Sequence, residues 1–309
     1  VTVSVEWGRA DWQGRYPREE ILAAPLGSPS HPLGLVPTGH VLVMDGTAPG
    51  FDPARVPVAR VPGRFRLPAE LARASEAGFE ALRASHGPRG LYDGTIARLA
   101  GAGPDGLLWQ DTGYFDYARS NLMMDGAGLR DEVHPDGRLE ALEASPLANG
   151  IGFNLQVLTR DGRLVVQRRA AGMAAWPRAW GTGVAGMAEP GDMEPASTLA
   201  ELRPWREAWE ELGIPPAAMR EAPLRFLGLT RELARGGSPE LHWVARLDLD
   251  PDGLRRAMAG AEDAHELDGI ALLDPDDPRD LLSLVGDGAS AALLAGWALL
   301  RRAGGGRAA

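Results

Sequence analysis

Apolar and polar positions alternate through NLQVLT (154–159) and RLVVQRR (163–169), and the two runs flank Asp161-Gly162. Alternation at period two marks strands with one inward face, and Asp-Gly is a two-residue hairpin turn, so a β-hairpin is predicted here. Further strand-like runs are HVLVMD (40–45), RFLGLT (225–230), LHWVARLDL (241–249) and GIALLD (269–274). Helical spacing and good helix formers mark PAELARASEAGFEALRAS (68–85), a helix from about Ser197 to Leu212, and the amphipathic SAALLAGWALLRR (290–302). In DPDGLRRAMAG (250–260) an Asp stands ready to cap another helix. From about Leu147 onward the hairpin comes first, helices fall between strands, and no βαβ unit repeats. The pattern predicts an α/β sandwich on a mixed sheet.

That pattern holds only from about Leu147 onward. Residues 1–65 are rich in Pro and Gly, and the stretch containing GPRGLYDG and LLWQDTGYFDYARSNLMMD reads as loop-rich. Two domains are therefore expected, a smaller α+β domain over 1–146 and the α/β domain over 147–309, in keeping with a chain of 309 residues.

Composition narrows the chemistry. Apolar residues make up 44% and charged residues 24%, which suits a globular protein with a sizeable core. The net charge of −10, without an extended basic stretch, argues against a nucleic-acid polymer or an anionic membrane as partner. There is no cysteine and no lysine, which excludes disulfides, thiolate ligands, Schiff bases and a P-loop lysine. VTVSVEWGR lacks the layout of a signal peptide, and the apolar run Ala291–Leu300 is too short to span a bilayer. A cytoplasmic location is expected.

Among motifs, GTGVAG (181–186) satisfies G-x-G-x-x-G, but a Trp/Pro loop precedes it and the EPGD turn follows, so the strand and helix of a dinucleotide site are missing. No G-x-S-x-G occurs, and the histidines form no metal-ligand pair at helical spacing. REAWEELGI (206–214) is different. On a helix, Glu207, Glu210 and Glu211 share one face at i, i+3 and i+4. Three adjacent carboxylates repel each other unless they are solvated or a hard divalent cation cancels their charge. Upstream, GMAEPGD (186–192) supplies a loop with further acids and turn-forming glycines.

Together, GMAEPGD and REAWEELGI resemble the nudix box: Gly, five residues, an acid, a spacer, then Arg-Glu-aliphatic-x-Glu-Glu-x-Gly-aliphatic. The downstream half matches at every specified position, with Ala208 as the small apolar residue. Asp192 replaces the family's Glu, and the thirteen residues Met193–Trp205 fill a spacer that is normally seven. The resemblance implies a nudix α/β/α sandwich with a mixed sheet. It also implies magnesium, or manganese, held by Glu207, Glu210, Glu211 and the Gly186 carbonyl, with Arg206 orienting the acids and Glu266 assisting from a later loop. The implied reaction is hydrolysis of a nucleoside diphosphate linked to another group, and nudix relatives are often homodimers. GYFDYARSN, SPLANGIGFNLQVLTRDGRLVVQRRA, the long spacer, EDAHELDGI and the last helix are similar to a nudix subgroup that cleaves UDP-glucose and UDP-galactose and carries an extra N-terminal domain.

Several residues are candidates for contacting such a small-molecule substrate. Trp176 and Trp180 could stack on a base or simply pack, and Arg168 and Arg169 end a strand where they could reach phosphate oxygens. Tyr114 and Asn121, with Phe115, belong to the N-terminal segment and could serve a lid, a nucleobase pocket or interdomain packing. Two alternatives stay open: a nudix-fold sensor that binds nucleotides without hydrolysis, and a hydrolase of another diphosphate such as ADP-ribose.

Overall fold

The computed structural model describes residues 11–26, 34–85, 91–103, 105–285 and 288–308. The N-terminal VTVSVEWGR and residues 87–90 of the loop-rich stretch lie outside them. Helix α1 (Trp12–Arg15) leads into strands β1 (Ile21–Pro25) and β2 (Leu35–Asp45). Strand β3 (Val58–Arg64), helix α2 (Ala69–Ser85) and strands β4 (Thr95–Gly103) and β5 (Gly106–Gly113) follow. Helices α3 (Tyr114–Ser120) and α4 (Leu129–Val133) precede the predicted hairpin, β6 (Gly152–Leu158) and β7 (Leu164–Arg169). Then come β8 (Trp180–Gly181), β9 (Val184–Met187), α5 (Pro190–Met193), α6 (Trp205–Leu212) and α7 (Pro216–Glu221). Strands β10 (Leu224–Glu232) and β11 (Ser238–Arg246) and helix α8 (Pro251–Met258) come next. Strand β12 (Leu267–Leu273) and helices α9 (Pro278–Val285) and α10 (Ala291–Arg302) close the described chain.

The main sheet runs β1-β2-β10-β11-β6-β7-β12, with β8 on β7 and β9 on β6. Among the described residues its β11–β6 pair is parallel and the other pairs are antiparallel. This is the α/β class with a mixed sheet that the sequence pattern predicts. Alternation along the strands sorts side chains onto two buried faces. Phe153, Leu155, Val157, Val165, Leu241 and Trp243 share one core with Ala208 and Leu212 of α6 and Leu254 of α8. Leu158, Leu164, Val166, Leu227 and Val244 share another with Leu293, Trp297 and Leu299 of α10. The sheet therefore lies between helical layers, and each fully buried Leu or Phe contributes roughly 1.5–3 kcal/mol.

A smaller sheet, β3-β5-β4, packs Val58, Leu99, Leu107 and Trp109 into the same core as α6. The long spacer joins the two. Val58 N–H donates to the Ser197 carbonyl at 2.9 Å, and Leu199 N–H donates to the Val56 carbonyl at 2.9 Å. Met193, Ala196, Leu199 and Leu202 are buried between the small sheet and α6.

Three differences from the sequence reading have clear causes. The stretch read as loop-rich holds β4, β5 and α3; buried positions run consecutively in β4, so the period-two signal is absent. The helix expected from Ser197 begins at Trp205, because Thr198 and Glu201 close a 3-10 turn and Pro204 brings no N–H to a continuing helix. Finally, β1 and β2 join the main sheet through the β2–β10 pair, so the sheet crosses the boundary drawn at 146/147. No helix among the described residues is long and apolar enough to cross a membrane.

Candidate active site

Helix α6 is held at both ends. Pro204 stands at its N-cap, and Gly213 closes it in the left-handed region at φ 64°, with its N–H donated to the Trp209 carbonyl at 2.9 Å. A side chain at Gly213 would run into the Ala257 carbonyl of α8. With Ala208 and Leu212 facing the core, Glu207 and Glu211 are also buried, and Glu210 is half-buried. Glu211 accepts hydrogen bonds from the Ala185 N–H and the Gln167 side-chain amide, both at 3.0 Å. Glu207 lies so close over Gly186 that a Cβ there would fall inside its carboxylate, which explains why β9 carries glycine at this point.

Arg206 organises the acids from one side. It donates to Glu207 at 2.7 Å, Glu210 at 2.8 Å, Asp192 at 3.1 Å and the Met187 carbonyl at 2.8 Å. Asp192 in turn accepts the Glu189 N–H at 2.9 Å in the capping box of α5. Asp192 thus reaches the carboxylate set through Arg206.

The electrostatics are those of carboxylates crowded in a dry setting. Burial pushes Glu207 up to about 8, against the pull of Arg206 and with help from Glu211, Glu210 and Asp192. Burial pushes Glu211 up to about 7, opposed by Arg169 and by its hydrogen bonds from Ala185 and Gln167. Glu210 is raised by burial too, with Arg206 opposing. Burial works against the charge of Arg206, yet Glu207 and Asp192 hold it above its ordinary range.

These groups face a cavity of about 300 Å³. It opens where two strands fork on one edge of β6: β7 pairs at Val157 and Leu158, and β9 pairs over Gly152–Leu155. Gly186, Glu207, Glu210 and Glu211 line it, as does Glu266 from the turn before β12. Burial and the neighbouring Asp263 raise the Glu266 carboxyl, while Arg169 and His265 oppose the shift. Ligand atoms of Asp263, His265 and Glu266 come within 4.8 Å of one another.

Of the candidate substrate contacts, Arg169, Trp176 and Tyr114 line the cavity. The Arg169 Nε–H donates to the Ala175 carbonyl at 3.1 Å, and Trp176 sits at φ 53°. Arg168, Trp180 and Asn121 do not line it. The Arg168 guanidinium lies 5.8 Å from the centre of the Trp180 ring, and Trp180 packs against the α10 core. Asn121 accepts the Asn149 N–H at 2.8 Å and donates to the Arg235 carbonyl at 2.9 Å, pinning a bend where Asn149 has φ 43°. GTGVAG contributes β8 and β9 and opens no helix, as its flanking sequence implied.

The sequence reading passed over Gln167, Asn154, Asp263, Arg235 and Glu240, all of which bear on this site. Gln167 and Asn154 could have been noticed as polar residues within otherwise apolar strands. Arg235 and Glu240 gave no signal, because their pairing depends on the β10–β11 register.

The residues present fit a hard divalent cation. Three carboxylates from one helix, and a glycine that admits the closest of them, form an all-oxygen donor set. No family model and no curated protein matches the chain. Solved structures with partial likeness include a protein of Deinococcus radiodurans, at 22% identity over 49% of this chain and 82% of that one, with a TM-score of 0.34. An Ap4A hydrolase of C. elegans is 17% identical over 48% and 93%, with a TM-score of 0.31. A MutT protein of Methanosarcina mazei is 16% identical over 50% and 91%, with a TM-score of 0.30. Likeness at this level leaves the reading of function to the site itself.

Proposed function

We propose that the protein is a nudix-type hydrolase that uses magnesium, with manganese as an alternative, to cleave a nucleoside diphosphate linked to another group, giving a nucleotide and a phosphorylated product. A nucleotide sugar such as UDP-glucose is the substrate this reading favours. The observation that carries it is the buried pair Glu207 and Glu211 with half-buried Glu210 on one cavity wall, a crowding that invites a divalent cation.

Glu207, Glu210 and Glu211 would hold the ion with the Gly186 carbonyl. When bound, a divalent cation neutralises charge on the diphosphate and lowers the pKa of a coordinated water. Arg206 fixes the acids in place, and Gln167 holds Glu211. Arg169, on the cavity wall, supplies positive charge for phosphate oxygens. Glu266, with a carboxyl raised by burial, suits a group that takes a proton from attacking water. Trp176 and Tyr114 offer aromatic surface for a base.

The test is a substrate panel of UDP-glucose, UDP-galactose, ADP-ribose, a dinucleoside polyphosphate and nucleoside triphosphates, each with and without magnesium. Magnesium-dependent release of a nucleoside monophosphate from a nucleotide sugar is expected. Nucleotide binding without any hydrolysis across the panel would instead favour a sensor.

A further inference from the structure

The cavity has a second polar wall that the carboxylate set does not explain. Across the parallel β11–β6 pair, Glu240 lies beside Gly152 and His242 beside Asn154, and Thr230 of β10 lies opposite Glu240. Cross-strand partners share a face, and this face is opposite to that of Phe153 and Leu241, which pack in the core of α6. Asn154, Gln156, Thr230, Glu240 and His242 are all buried on it, and Leu158, Leu164, Val166 and Val244 are apolar neighbours on the same face.

A buried polar stripe is costly unless its members pair; Thr230 meets His242 Nε2 at 2.9 Å, and Asn154 and Glu240 pair at the cavity end. Arg235 donates to Glu240, to Glu232 behind it and, at 2.7 Å, to the Tyr117 hydroxyl. The Asn154 amide donates to the other oxygen of Glu240. Thr182 donates to the Val184 carbonyl at 2.8 Å and reaches the Asn154 carbonyl oxygen at 3.4 Å. Gly152 makes the arrangement feasible, because a Cβ there would fall on the Glu240 carboxylate. Asn154, Thr182, Arg235 and Glu240 all line the cavity.

We propose that Glu240 and Asn154 form a subsite that reads adjacent hydroxyl groups on a sugar ring attached to the diphosphate. This rests on the hydrolase reading above and adds to it the residues that choose the substrate. A carboxylate offers about four acceptor sites, and each Glu240 oxygen has one protein donor, so capacity remains on both. Two neighbouring hydroxyls match two neighbouring acceptor oxygens, and the Asn154 carbonyl oxygen adds a third acceptor. The diphosphate is left to the α6 side of the cavity, where Arg169 and a cation held by the α6 carboxylates would meet it.

Hydroxyls of this kind occur on a transferred hexose and on the ribose of the nucleoside. Three probes separate them: UDP-glucose, UDP-2-deoxyglucose and 2′-deoxy-UDP-glucose. Each is tested with magnesium, by initial rates where it turns over and by calorimetric binding where it does not. On the wild-type protein, removing the recognised hydroxyl should weaken kcat/KM or binding by about 10- to 100-fold, and the affected probe identifies the ring. Glu240→Gln, with a melting temperature near that of the wild type, should treat the three probes nearly alike. Equal handling of all three by the wild type overturns the subsite, however the variant folds. Hydroxyl-dependent binding without turnover keeps the subsite and overturns the hydrolase, and no binding of any probe overturns both.

Discussion

At the scale of single residues, the account depends on carboxylates whose burial makes sense only with a partner. Glu207 and Glu211, raised to about 8 and about 7, hold protons more tightly folded than unfolded, where a glutamate sits near ~4.3. Their contribution to stability is therefore fully present below about pH 4.3 and is lost as the pH rises through 7 and 8. In chelator-treated protein, the melting temperature of Glu207→Gln should fall less between pH 5 and 8 than that of the wild type. A parallel fall in both would mean that Glu207 is not buried as described. Gly186→Ala tests the same spot sterically: the added methyl meets Glu207, so activity should drop by about 100-fold or more while far-UV circular dichroism is retained. At this scale the sequence revealed the three glutamates through their helical spacing. It could not reveal Gln167 or Glu240, whose roles come from contacts far apart along the chain.

At the scale of elements, the box helix was legible and its start was not. Charged spacing and the terminal Gly213 announced α6, but Pro204 and the 3-10 turn at 199–201 move its beginning to Trp205. The spacer is long because it has a task in the fold: residues 193–202 fill the space between the small sheet and α6 and hydrogen-bond to the chain at Val56 and Val58. Strand β4 escaped notice because consecutive buried positions leave no alternation to read, and β5 because Leu108, apolar yet exposed, stands between buried Leu107 and Trp109. Gly213→Ala isolates the helix end. Its positive φ and the nearby Ala257 carbonyl predict a loss of about 1–3 kcal/mol in denaturant unfolding. An unchanged midpoint would show that α6 is not anchored there.

At the scale of the whole molecule, the two halves share a sheet. Strand β2 lies between β1 and β10, and α10 packs across β1, β2 and β10. Composition alone separated 1–146 from 147–309, since Pro- and Gly-rich sequence hides a pairing that only the β2–β10 register reveals. A chain limited to residues 147–309 would expose the β10 edge and the apolar face of α10, so it should aggregate or melt without cooperativity. A sharp, native-like transition from that fragment would contradict the shared sheet.

The central claim is that Glu207, Glu210 and Glu211 form a divalent cation site. Titration with manganese followed by electron paramagnetic resonance reads this directly, without any assumption about substrate. The wild-type protein should bind manganese, and Glu211→Gln should bind it at least about 10-fold more weakly while keeping its melting temperature in chelator. Equal manganese binding by the wild type and Glu211→Gln would contradict the claim.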